Sequence, residues 1–138
     1  MAKFWVVAAA FLCDAAVVLA FAAGGRATHD RAAVLTGVAE TAWPFLVALV
    51  LSWLVSRAWH DPLRVAWPGV GLWLGTVGGG IVLRLLSGDT AQLSFVVTTL
   101  LLLGVALLGW RLLAAASRWA LSGRARTSSA PPLVQDVP

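Results

Sequence analysis

FWVVAAAFLCDAAVVLAFAA, residues Phe4–Ala23, holds a single charged residue, Asp14, near its centre. A helix of twenty residues rises about 30 Å, the thickness of a bilayer's hydrocarbon core. In lipid each backbone N–H and C=O must find its partner within the segment, which makes helix the spanning structure. Lys3 precedes the stretch and Gly24-Gly25-Arg26 closes it. A cleavable leader is the competing reading, because Ala20-Phe21-Ala22 has the small-x-small pattern of a cleavage site. The stretch exceeds the roughly 7–15 apolar residues of a leader, and Asp14 interrupts it; both favour a retained span.

Outward from this stretch the pattern repeats. Spans are read at about 4–23, 38–57, 68–86 and 93–113. The chain of 138 residues is 60% hydrophobic and 12% charged, against roughly 25% charged in a soluble domain. It has too few polar groups to cover a surface in water. The expected fold is all-α, an integral membrane four-helix bundle over 1–118 followed by a disordered tail, 119–138. Pro44 is expected to kink the second span at the carbonyl of Glu40. Asp89 and Gln92 have the spacing of a capping box ahead of the fourth.

Charge sets orientation. Lys3, Arg57, Arg64, Arg111, Arg118, Arg124 and Arg126 fall on one side, and Arg26, Arg31 and Arg84 on the other. The positive-inside rule places the richer side, with both termini, in the cytoplasm of a plasma-membrane protein. Most of the eight Trp residues fall in that half and read as interfacial anchors.

Several classes are set aside. One Cys and two His leave no structural zinc set and no axial pair for haem. No nucleophile–base pair is visible, so no enzyme activity and no cofactor are expected. The bases sit singly at span ends rather than in a patch, which speaks against nucleic acid. The expected partners are the lipid bilayer and a second copy of the chain.

The candidate chemistry centres on Asp14. A carboxylate at the midplane costs roughly 2.5–3.5 kcal/mol on insertion scales and must face protein or water. It serves either as an interhelical hydrogen-bonding group or as a proton or cation site. Arg84 is the expected partner, with an α-carbon offset in depth of about 6–9 Å. Thr76 and Gly80 share its stripe, which either serves plain close packing or, with Arg84 and Asp14, lines a buried polar cavity. Arg111 is expected to snorkel to the inner interface. Arg26, His29 and Glu40 form an outer mouth. Gly71, Gly75 and Gly79 repeat every fourth residue, a double GxxxG suited to close helix packing or to self-association.

Asp14, Phe21-Ala22-x-x-Gly25-Arg26-x-x-His29, Ala42-Trp43-Pro44-Phe45, Trp73-x-x-Thr76-x-x-x-Gly80-x-x-x-Arg84 and Gly109-Trp110-Arg111 together resemble a family of small prokaryotic membrane proteins, domain of unknown function 3054. The resemblance covers about Ala2 to Ala115. It implies four spans and draws attention to Asp14, Arg26, His29 and Arg84. It implies no activity. Two functions are carried forward. One is permeation of a small solute, ion or proton through a buried Asp14–Arg84 site. The other is a structural or assembly subunit in which the same polar residues only fix helix packing.

Overall fold

The computed structural model describes residues 1–25 and 31–128. Four helices form an antiparallel bundle: α1 (Ala2–Gly24), α2 (Arg31–Ser56), α3 (Val70–Leu86) and α4 (Leu93–Ser128). Each is long and apolar enough to cross a membrane. Each packs on its chain neighbours, and α1 also packs on α4, so the ring closes. α2 runs unbroken across Pro44. α4 continues to Ser128, where the sequence reading places a disordered tail from residue 119. A kinked turn, Val65–Gly69, in which Trp67 is extended, leads into α3.

The buried face of α1, α3 and α4 centres on a stripe of residues four apart, and that of α2 is broader. On α1 it is Ala10, Asp14, Val18 and Ala22. On α4 it is Thr99, Leu103, Leu107 and Arg111. On α3 it is Leu72, Thr76 and Gly80. Residues four apart lie above one another on one helical face, so each stripe presents a narrow ridge to the interior. The opposite faces are apolar and exposed, as at Val55, Leu101 and Val105. In water such a surface would aggregate; in lipid it is the expected exterior.

The glycine stripe of α3 brings α2 close. A Cβ at Gly79 would stand 3.0 Å from the Cβ of Ala48, and one at Gly75 would meet Ser52. The close approach that the stripe permits is therefore used within the chain. Gly80 lies so near the ring of Phe45 that any Cβ there would overlap it. Trp73 fixes the register of α3 on α4: its Nε1 donates to the carbonyl of Leu100 at 2.9 Å, and its ring lies against Gly104.

Two glycine substitutions in α3 should behave in opposite ways. Gly80→Leu forces a side chain into the Phe45 ring and should destabilise the bundle by about 1–3 kcal/mol or more. At Gly78 an added Cβ meets nothing within 4 Å, and Gly78→Ala should gain about 0.5–1 kcal/mol from helix propensity. Thermal unfolding midpoints in detergent micelles check both.

Candidate functional site

Asp14 lies within the α1 span and is fully buried. Its partner is Arg111 on α4, also fully buried. The pair is bidentate: Nη1 donates to Oδ1 at 2.7 Å and Nη2 to Oδ2 at 2.6 Å. This two-point geometry is the strongest that a guanidinium and a carboxylate can form. Two indoles complete the carboxylate's shell. Trp53 Nε1 of α2 donates to Oδ2 at 3.0 Å, and Trp110 Nε1 of α4 donates to Oδ1 at 2.9 Å. Each carboxylate oxygen thus accepts two hydrogen bonds, which fills the usual capacity of an ionised Asp.

Arg111 is equally occupied. Its Nε donates to the carbonyl of Pro62 at 3.1 Å, and Nη1 donates a second bond to the carbonyl of Leu107 at 2.8 Å. Its Cζ lies 4.5 Å from the centroid of the Trp110 ring, within cation–π range. A Cβ at Gly69 would lie 3.3 Å from Arg111 Cδ, so the entry to α3 passes beside it too. The two side chains thus touch α1, α2, α4 and the α2–α3 connection at Pro62 and Gly69.

This corrects the sequence reading at two positions. Arg84 does not pair with Asp14, and Arg111 does not snorkel. The reason is the tilt of helical side chains toward the N-terminus of their own helix. α1 and α4 are antiparallel, so Asp14 leans toward the end where α1 begins and Arg111 leans the opposite way. Side chains whose α-carbons differ in depth then converge. Trp53 and Trp110, read as interfacial anchors, instead donate their N–H groups inside the bundle.

Arg84 sits at the other end. Its Nε donates to the carbonyl of Thr90 at 3.2 Å, and Nη2 stands 3.6 Å from Asp89 Oδ2. Asp89 therefore serves Arg84 rather than capping α4 through its side chain. The guanidinium carbon lies 4.9 Å from the centroid of the Phe95 ring. Beneath it opens a cavity of about 540 Å³ whose wall includes Phe21, Thr41, Arg84, Phe95, Thr98 and Leu102. Asp14, Thr76 and Gly80 are not part of that wall, contrary to the polar-cavity reading of the sequence. The space that Gly80 leaves is taken by Phe45. Thr76 is fully buried, and its Oγ1 and that of Thr99 have no hydrogen-bond partner among the described residues. Glu40 is exposed. Arg26 and His29, the rest of the expected outer mouth, lie outside the described residues. No group of three or more metal-binding side chains occurs among the described residues.

Fold and site together define a four-span helical membrane protein with a saturated ion pair inside the bundle. A family described as a protein of unknown function (DUF3054) matches residues 11–114, and the chain belongs to it. No curated protein and no solved structure matches the chain.

The ion pair generates a double-mutant prediction. Asp14→Leu or Arg111→Leu alone strands a buried charge and should cost about 3–5 kcal/mol. The double Leu variant should recover most of that loss, because neither charge remains. Asp14→Asn should be nearly as damaging as Asp14→Leu, since the guanidinium still lacks its counter-charge. Reversible unfolding in mixed micelles reads all four.

Proposed function

We propose that this protein is a structural or assembly subunit of the plasma membrane, with both termini cytoplasmic, in which buried charge fixes helix packing. One observation carries the reading: the Asp14 carboxylate accepts four hydrogen bonds at zero exposure. A proton or ion carrier needs an acid that water or substrate can reach. This acid is held by a fixed cation and two indoles, and releasing it would leave Arg111 uncompensated. With Arg111 inside, six basic residues at the end bearing both termini still face three at the other, which supports the orientation. Trp67 already meets Gly71, and Ser52 and Ala48 of α2 meet Gly75 and Gly79, which supports a role for these glycines in packing within the chain rather than in self-association.

Proteoliposomes carrying a trapped pH dye test it. Wild type and the Asp14→Leu/Arg111→Leu double variant should leak protons at the rate of empty vesicles. In cells, the single variants should accumulate poorly in the membrane, and the double variant should accumulate normally. A flux well above that of empty vesicles, lost in the folded double variant, would return the protein to the permeation class.

A further inference from the structure

The cavity under Arg84 takes no part in the packing role just described, and its chemistry is different. Residues of all four helices wall it, among them Phe21 of α1, Thr41 of α2, Arg84 of α3 and Phe95 of α4. Its volume of about 540 Å³ falls within the range of ligand pockets, about 300–1,000 Å³. Arg84 is the one charged residue of the wall among the described residues. The rest is aromatic, aliphatic or small, with two threonines.

Arg84 is under-committed where Arg111 is saturated. A guanidinium carries five N–H donors in a planar fork. Among the described residues one of these makes a hydrogen bond, to the carbonyl of Thr90. The contact with Asp89 is 3.6 Å long, and the Asp89 side chain is 51% exposed. A loose, solvated pair of this kind contributes little and exchanges readily with another anion. The Arg84 side chain is itself only 15% exposed, so it faces the protein rather than open solvent. Behind Phe21 and Phe95 stands Phe45, fully buried, with ring centroids 5.7 and 6.3 Å from theirs. These three rings close the cavity's inner side.

We propose that this cavity binds an amphiphile with one anionic headgroup. The Arg84 fork takes the headgroup's oxygens in place of Asp89, and the apolar body lies along Phe21, Phe95 and Leu102. A bare inorganic anion would leave the apolar wall unused, and a neutral hydrocarbon would leave the guanidinium unused. The headgroup chemistry is shared by an anionic bilayer lipid and by a free fatty acid.

The test uses the full chain in neutral detergent with a diazirine-bearing palmitic acid as photoprobe, followed by peptide mapping. Label should concentrate on the segments around Phe21 and Phe95–Leu102. Oleate should displace it and oleyl alcohol should not. Arg84→Gln should weaken labelling about tenfold, the loss expected when a charge-assisted bond goes, while Arg84→Lys keeps most of it. Ala20→Trp, which fills the cavity without touching the charge, should abolish labelling and decides the matter if Arg84→Gln fails to fold. Displacement by phosphatidylglycerol assigns the site to a bilayer lipid, and displacement by oleate alone assigns it to a free amphiphile. Equal labelling of wild type and a folded Arg84→Gln, equal competition by oleyl alcohol, or label spread over outward side chains such as Leu51 and Val105 would overturn the proposal.

Discussion

The bundle is organised by the demand that two opposite charges, neither tolerable in hydrocarbon, meet inside it. Asp14 and Arg111 are 97 positions apart, on the first helix and the last. Apolar side chains cannot choose partners by hydrophobicity in a bilayer, because lipid tails are as apolar as leucine. Shape and hydrogen bonding must do the choosing. Joining Asp14 to Arg111 closes the ring of four helices. Trp53 adds α2 to the junction, and the carbonyl of Pro62 adds the connection that follows it. In water such a pair could be replaced by packed leucines with little loss. In lipid its worth lies in specificity, since each charge alone has nowhere else to go.

Much of this could be read from sequence, and each failure has a physical cause. Four apolar stretches gave the helices, because backbone satisfaction in lipid leaves few alternatives. Asp14 was legible as the central residue, because a midplane carboxylate is costly wherever it points. Its partner was not. Ranking Arg84 above Arg111 compared α-carbon depths and ignored the N-terminal lean of helical side chains. With that lean included, Asp14 moves away from Arg84 and toward Arg111, and Arg111 on an antiparallel α4 leans back to meet it. Trp53 and Trp110 were hidden for another reason. Tryptophan near a span end is so commonly an anchor that position alone could not mark these two as donors. The partner that would have distinguished them, Asp14, lies on a different helix.

The glycines of α3 show a subtler gap. The sequence reading took Gly80 to leave room beside Arg84, but room invites a filler as readily as a cavity. Phe45, from the helix across the interface, takes it. One ring therefore separates what the sequence joined. Asp14 lies on one side of the aromatic layer, and Arg84 with its cavity lies on the other. Thr76 is fully buried among these layers with its hydroxyl unpartnered among the described residues, so a polar stripe on one helix is not by itself a polar path through a bundle.

The two arginines then define two ends of different kind. At Arg111 each carboxylate oxygen has both its bonds, the cation has several partners, and nothing is left to offer a ligand. At Arg84 one hydrogen bond and one long ion pair among the described residues leave most of the guanidinium's donors uncommitted beside open volume. A protein that is to hold its shape and also bind something must keep these conditions apart, because a ligand drawn to the buried pair would have to break it. The aromatic layer of Phe21, Phe45 and Phe95 supplies that separation. The same chemistry, a guanidinium beside aromatic rings and a carboxylate, serves as a lock where it is closed and saturated. It serves as a receptor where it is open and only partly paired.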